Sequence, residues 1–373
     1  MTRSMFLPTL RFSLLLTTAI AAALFASFSG ASAKERGGDV YTLTNGAGGN
    51  LVAVFNRAND GTLTADGTVS TGGLGTGAGL GSQGAIAIEG HWLLAVNAGS
   101  DSVSLFSIDN DGDPHLEDVA SSGGDMPISV TVHHDLVYVL NAGVPENITA
   151  LVIEGDGLSP LAGSTRPLSG SGVGPAQVSF SPNGKLLAVT EKATNKIDTF
   201  IVANDGLASG PNTQDSVGQT PFGFAFGKHG TLIVSEAFGG APNASAVSSY
   251  DVSRFGSLDA VTESAPTTET AACWIAISKN GRYAYSTNTG SSTVTGYHVG
   301  HDGSLTILDA DGITGQTPVG SAPIDAAFSG NTLYVLSAGT NTITAFDQQS
   351  DGSLTNLGSV GGLPNGTVGL ATR

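Results

Sequence analysis

Residues 175–191 contain the pattern that decides the fold, and they read PAQVSFSPNGKLLAVTE. The stretch opens with a proline and a short apolar segment, passes through a Pro-Asn-Gly turn, and continues as an apolar segment that ends in Glu191. Short apolar or alternating segments bounded by turn residues are typical of antiparallel strands. Similar openings begin at Pro127, Pro221 and Pro323. The stretch is therefore one copy of a repeat.

Two further features recur in phase with this opening. The second segment of each copy ends in a polar residue, at Asn45, Asn97, Asn141, Glu191, Glu236, Asn288 and Ser337. An Asp-Gly turn follows in six copies, at Asp60, Asp111, Asp156, Asp205, Asp302 and Asp351, and the fifth copy has Phe255 in place of Asp. The turn glycines recur every 45 to 51 residues. Asp-Gly is a strong hairpin signal, and four strands in a repeat of this length predict a β-propeller.

The sequence thus predicts an all-β, seven-bladed β-propeller with four antiparallel strands in each blade. The first copy lacks the opening segment, because Asp39 comes almost directly before its second strand. Residues 364–371, PNGTVGLA, match the opening at the end of the chain. We expect this C-terminal strand to join the first blade and close the ring, which pairs two otherwise open sheet edges.

Composition excludes several classes of protein. Of the 373 residues, 53 are Gly and 12% are charged, and 14 Lys and Arg oppose 31 Asp and Glu for a net charge of −17. A nucleic-acid partner is not expected, because such binding needs clustered cations. The single cysteine, Cys273, excludes an internal disulfide. We expect a monomer whose stability comes from a large apolar core.

The N-terminal sequence is typical of a targeting segment. Arg3 and Arg11 flank a positive start, an apolar stretch follows, and the Ala-Ser-Ala run that ends at Ala33 is a typical cleavage site. This order predicts a signal peptide over residues 1–33, a propeller domain over residues 34–373, and a secreted or periplasmic protein. No later segment is apolar over enough residues to span a membrane.

Three motifs together resemble one known family: the run SPNGKLLAV at 181–189, the run YVLN at 138–141, and the turn DGSLT at 351–355. They resemble the seven-bladed lactonase-like propellers, also called the cycloisomerase 2 family, which includes phosphogluconolactonases and fungal carboxymuconate lactonising enzymes. The resemblance covers Asp39 to Arg373. It implies a lactone or a related carbohydrate acid as the ligand, and Arg and His residues at the mouth of the inner strands in catalytic members.

This sequence departs from the family at those positions. The comparable residues include neither Arg nor His: they are Ser82, Gln83, Ile128, Ser129, Ala176, Gln177, Phe222, Gly223, Cys273, Trp274, Ile324, Asp325, Asn365 and Gly366. Opening a lactone needs cationic donors and a proton shuttle. The departure argues against catalysis, and against a phosphorylated sugar lactone in particular, because a phosphate needs cations.

The blade register instead predicts a polar and acidic mouth. Gln83, Gln177, Asp325 and the potential stacking platform Trp274 are expected to bind a ligand at the channel, with Asn97, Asn141 and Asn288 in a second ring. Glu191 and Glu236 are candidate catalytic bases. With Asp325 they are candidate ligands for Ca²⁺ or Mg²⁺, which take carboxylate oxygens. The structural alternative is that these residues cap strand ends and bind turn amides.

Three functions stay open at this point. The first is a secreted module that binds a small carbohydrate-like or lactone ligand, or a protein partner, without catalysis. The second is a lactone hydrolase or lactonising enzyme with Glu191 or Glu236 as the base, aided by a metal ion in place of Arg. The third is a surface-layer component.

Overall fold

The computed structural model describes residues 36–373, so the predicted signal peptide lies outside the described residues and stays a prediction. Within this range the regular structure is almost entirely β, with a single short 3₁₀ turn at Phe238–Gly240. No helix in this range is long and apolar enough to cross a membrane. The strands form seven separate antiparallel sheets, which confirms the predicted seven-bladed propeller.

The first blade is closed by the end of the chain, as predicted. It contains β1 (Arg36–Leu43), β2 (Leu51–Ala58) and β3 (Leu63–Ser70), and its innermost strand is the C-terminal strand, β30 (Val368–Thr372). The order across the sheet is β3-β2-β1-β30. Tyr41 pairs with Ala371 in the register of β1 and β30.

The other six blades follow the chain from the centre outward. Blade 2 is β4 (Ile86–Glu89), β5 (Trp92–Asn97), β6 (Ser102–Ile108) and β7 (Pro114–Ser121). Blade 3 is β8 (Pro127–His133), β9 (Leu136–Asn141), β10 (Asn147–Glu154) and β11 (Gly157–Pro160), with β12 (Arg166–Pro167) also on β10. Blade 4 is β13 (Pro175–Phe180), β14 (Leu186–Glu191), β15 (Lys196–Val202) and β16 (Ala208–Asp215).

Blade 5 is β17 (Pro221–Phe226), β18 (Leu232–Glu236), β19 (Ala246–Val252) and β20 (Leu258–Pro266). Blade 6 is β21 (Ala272–Ile277), β22 (Tyr283–Asn288), β23 (Thr293–Val299) and β24 (Leu305–Ile307), with β25 (Gly315–Gln316) also on β23. Blade 7 is β26 (Pro323–Ser329), β27 (Thr332–Ser337), β28 (Thr342–Gln348) and β29 (Leu354–Val360).

Buried tyrosines lock neighbouring blades together through the repeated turns. The hydroxyl groups of Tyr41, Tyr138, Tyr285 and Tyr334 donate to the carbonyl oxygens of Gly112, Gly206, Gly352 and Gly61 at 2.7 to 2.8 Å. Each acceptor belongs to the Asp-Gly turn of the next blade in the ring. The turns that reveal the repeat in the sequence therefore also help to join the blades.

Candidate functional site

The inner strands begin at one face of the ring, which we call the mouth. Pro127, Pro175, Pro221 and Pro323 each pair there with the last residue of the neighbouring strand. The register shifts directly after each of these prolines. A bulge of this kind re-aims side chains, and here it falls where the central channel opens.

Gln83 crosses the channel at the mouth. Its side-chain Nε2 donates to the carbonyl oxygen of Ile275 at 3.0 Å, and its Oε1 accepts from the Ile275 amide at 3.3 Å. Its own backbone amide donates to the carbonyl oxygen of Ala176 at 3.2 Å. Gln83 precedes blade 2, whereas Ile275 lies in blade 6 and Ala176 in blade 4. Gln83, which is predicted to bind a ligand, thus links blades that are not neighbours through hydrogen bonds.

Gln177 makes the same pair of bonds between adjacent blades. Its Nε2 donates to the carbonyl oxygen of Phe224 at 3.0 Å, and its Oε1 accepts from the Phe224 amide at 2.7 Å. Gln83 and Gln177 are both buried. Both side-chain amides therefore bind the backbone of strands in other blades.

We expect Gln83→Leu and Gln177→Leu each to lower the free energy of unfolding by about 2–4 kcal/mol, since each would leave one buried amide and one buried carbonyl without a partner. Urea unfolding at neutral pH measures the change. Gln316→Leu is the matched control, because Gln316 is exposed and its change should stay within about 0.5 kcal/mol. Equal stability of all three variants would contradict the claim that Gln83 and Gln177 stabilise the ring through hydrogen bonds between blades.

Asp325 lies near Gln83 and is buried, with only 1% of its surface exposed. Its Oδ1 accepts from the Ala326 amide at 2.8 Å, and Oδ2 has no partner at hydrogen-bond distance among the described residues. Burial raises the pKa of this carboxyl to about 7, although nearby backbone amides and Gln83 favour the charged form. The carboxyl therefore keeps its proton to a much higher pH than an ordinary aspartate does.

Glu191 is fully buried inside blade 4. Its Oε1 accepts from the Ser169 amide at 3.0 Å, and its Oε2 accepts from the hydroxyl groups of Ser169 and Thr194. The Ser169 amide also donates to Asp198 at 3.0 Å. Burial, together with the charge of Glu191, raises the pKa of Asp198 to about 7. The two carboxyl groups form a pair that is internal to the blade.

Glu236 has an equivalent place in blade 5. Its Oε1 accepts from the Gly218 amide at 2.8 Å and from the Ser248 hydroxyl, and its Oε2 accepts from the Ser264 hydroxyl at 2.6 Å. Burial raises the pKa of this carboxyl as well. Like Glu191, it binds the loop that enters its blade and is 0% exposed.

The predicted cluster of Glu191, Glu236 and Asp325 is therefore not formed. Each carboxyl lies in a different blade, and each accepts hydrogen bonds from its own surroundings. No group of three or more carboxylate, His or Cys side chains that could hold a metal ion occurs in residues 36–373. Glu191 and Glu236 end the second strands of their blades, and at that position their side chains bind groups within the blade.

The three predicted asparagines show the same arrangement. The Nδ2 groups of Asn97 and Asn288 donate to Ser104 and Thr295 in the adjacent strand at 2.7 and 2.9 Å, and that of Asn141 donates to Asn147 at 3.0 Å. All three are 0% exposed. Their donors are therefore directed into the blade.

The apolar floor of the mouth comes from blades 5, 6 and 7. We call Phe222, Cys273, Trp274 and Ile324, which pack together, the mouth floor. The rings of Phe222 and Trp274 meet edge to face at 4.8 Å. Trp274 is only 3% exposed, so its indole offers little surface for the predicted stacking, and its Nε1 has no acceptor among the described residues. Burial raises the pKa of the Cys273 thiol to about 11, so this cysteine is not an activated nucleophile.

Comparison with known proteins identifies the family. The model of the lactonase, seven-bladed β-propeller family matches residues 44–153 and 243–368, together more than half of the chain. The chain belongs to this lactonase family. No curated protein sequence is significantly similar to it.

Solved structures of other propellers share the fold of this lactonase-family protein. A Bacteroides fragilis protein provisionally described as a 6-phosphogluconolactonase is 20% identical, with a TM-score of 0.72 over 92% of this chain and 100% of that one. The periplasmic gluconolactonase of Pseudomonas aeruginosa is 17% identical, with a TM-score of 0.66 over 89% of this chain and 99% of that one. At these identities the likeness shows the fold alone.

A cation at the mouth of this lactonase-family propeller, Lys192, is not predicted from the sequence. Lys192 directly follows Glu191 at the end of β14 and lies outside the inner strands. Its Nζ donates to the carbonyl oxygen of Gly81 at 2.6 Å and lies 4.7 Å from the centre of the Phe222 ring. Burial lowers its pKa to about 8, although the nearby Cys273 thiol favours the charged form. The mouth therefore holds a positive charge at the edge of its apolar floor.

Proposed function

We propose that this protein binds a small lactone or sugar acid at the mouth of its channel, with Lys192 as the contact for the carboxyl or carbonyl oxygen. The observation that carries the proposal is the Lys192 ammonium group, half-buried beside the mouth floor, whose one acceptor among residues 36–373 is the carbonyl oxygen of Gly81. An ammonium group has three donors, so two remain for a ligand. Phe222, which is partly exposed, offers a face to the ligand's ring.

The hydrogen bonds and the burial of the carboxyl groups favour binding without catalysis. Glu191 and Glu236 accept hydrogen bonds at both oxygens and have no exposed surface. A general base must reach the proton that it removes. Neither carboxylate has a path to a ligand beside Lys192 without breaking the bonds that hold its own blade. Membership of the lactonase family supports the chemical class of the ligand.

Thermal unfolding with a panel of sugar lactones and aldonic acids tests the proposal. A ligand at one hundred times its Kd stabilises the native state by about 2.7 kcal/mol, and the melting temperature rises. We expect Lys192→Met to abolish this shift. Lys196→Met is the matched control, because Lys196 lies in the same blade but pairs with Asp215 at 2.8 Å. A shift that persists in Lys192→Met, or no shift with any compound, would refute the mouth site.

Lactone hydrolysis is the second candidate, and the lowered pKa of Lys192 favours it. A neutral amine at Lys192 would take a proton from water as the oxygen of that water attacks the lactone carbonyl. The ring C–O bond then breaks, and the ammonium group returns the proton to the alcohol. The rate should rise with pH through about 8 and vanish in Lys192→Met but not in Lys196→Met. Hydrolysis no faster than the uncatalysed reaction in buffer would refute this second candidate and would leave the binding proposal unchanged.

A further inference from the structure

A groove of about 360 Å³ lies between blades 4 and 5 on the face opposite the mouth. Three turns line it: the β13–β14 turn with Lys185, the β17–β18 turn with Lys228, and the β19–β20 turn with Arg254. Leu186, Phe226 and Val252 also line the groove and make part of it apolar. Its size is at the lower end of the range for small-molecule sites.

The charge of this groove is opposite to that of the whole chain. No Asp or Glu is among the described residues that line it, although the net charge of the chain is −17. Lys185, Lys228 and Arg254 are all exposed, and none forms an ion pair within the described part of the chain. Three exposed cations at the edge of one cavity give it a local positive potential, which attracts an anion.

The equivalent groove between blades 3 and 4 lacks this property. It also contains Lys185, but Asp135 and Asp205 line it as well. Asp205 belongs to the repeated Asp-Gly turn, and blade 5 has Arg254 and Phe255 where blade 4 has Asn204 and Asp205. One carboxylate is thus replaced and one guanidinium added at this turn.

The side chain of Arg254 lies against an aromatic ring at its turn. Its guanidinium group lies 4.5 Å from the centre of the Phe255 ring. Phe255 is 69% exposed, so its ring is accessible to the guanidinium group. The aromatic ring therefore supports the cation beside the groove, and the fifth copy of the turn differs from the other six in both residues.

We propose that this groove is a second binding site, which takes a small molecule that carries a phosphate monoester. Lys185, Lys228 and Arg254 would surround the phosphate group, whose two negative charges need more than one cation. The apolar part of the groove would contact the body of the molecule. A polymeric polyanion is disfavoured, because the acidic remainder of the protein repels it. The site shares no residue with the mouth, so it goes beyond the proposed function and its failure would leave that function untouched.

Isothermal titration with inorganic phosphate and with phenyl phosphate, at low ionic strength, tests the site. We expect saturable binding of one equivalent of either probe, and at least a roughly tenfold loss of affinity in Lys228→Ala and in Arg254→Ala. Lys192→Met should bind both probes as the unmodified protein does. Since the substituted side chains are exposed, thermal unfolding should be unchanged.

Lys279→Ala is the matched control for diffuse surface charge. Lys279 is an exposed lysine in the β21–β22 turn of blade 6, on the same face, and it does not line the groove. Its substitution should change the affinity by less than about twofold, because it makes no contact with the ligand. An equal loss in Lys279→Ala and Lys228→Ala would overturn the site, as would the absence of saturable binding. Binding of polyphosphate without binding of either small probe would overturn it too.

Discussion

Removal of residues 364–373 is expected to unfold the whole propeller rather than its first blade alone. The deletion removes β30, in which Val368 and Leu370 are buried. It also removes the acceptor of the Thr42 hydroxyl, the carbonyl oxygen of Gly369 at 2.6 Å. Burial of each apolar side chain contributes about 1.5–3 kcal/mol, and the lost strand pairing adds to this. The total stabilisation lost is close to the free energy of unfolding of a typical protein, which is about 5–15 kcal/mol.

Circular dichroism and urea unfolding measure the effect of the deletion. The truncated chain should lack a cooperative transition under conditions in which the intact chain is folded. A peptide of residues 364–373 added in trans should restore the transition, whereas a peptide of the same composition in scrambled order should not. A truncated chain that unfolds cooperatively near the normal midpoint would show that the ring does not depend on this strand.

Asp325→Asn is expected to change how stability depends on pH. Burial holds the pKa of Asp325 at about 7 in the folded protein, against an ordinary value of 3.8. The folded state therefore binds more protons than the unfolded state between these values, and stability falls as pH rises from about 4 to about 7. Because one pKa unit corresponds to about 1.4 kcal/mol, the loss attributable to Asp325 is on the order of 4 kcal/mol.

Urea unfolding of both proteins at pH 4.5 and pH 8 isolates this contribution. Asp198 and Glu236 also have raised pKa values, so the unmodified protein loses stability from several groups, and only the difference between the two proteins reports on Asp325. Asparagine keeps an oxygen that can accept from Ala326 and carries no charge. The variant should gain stability relative to the unmodified protein by several kcal/mol between the two pH values. A difference that does not vary with pH would contradict the buried, protonated carboxyl.

Most of the fold could be predicted because short local sequence patterns specify the repeat. The Asp-Gly turns, the opening prolines and the run at 364–371 each reflect a backbone requirement that a few adjacent residues satisfy. The additional strands β12 and β25 were not predicted, since each is two residues long and has no periodicity to detect. Strand pairing at that scale depends on the neighbouring strand rather than on the segment itself.

The site was harder to predict because it depends on distant partners and on side-chain direction. Gln83 is predicted at the mouth of the channel, but its partner Ile275 is 192 residues away in sequence. Glu191 and Glu236 share a repeat position with the asparagines, and no local pattern shows that this position points into the blade. Lys192 was not predicted because it follows the end of β14 rather than lying in an inner strand, and its partner Gly81 is 111 residues away in sequence.

Chemical modification of Lys192 tests the mouth site most directly. With a pKa of about 8, roughly half of its amine is neutral at pH 8, against about 1% or less for an ordinary lysine. An amine-reactive acylating reagent, followed by peptide mass spectrometry, should modify Lys192 about tenfold faster than the exposed Lys279. A lactone or sugar acid that raises the melting temperature should protect Lys192 and leave Lys279 reactive. Equal reactivity of the two lysines, or modification of Lys192 that the ligand does not slow, would contradict binding at the mouth.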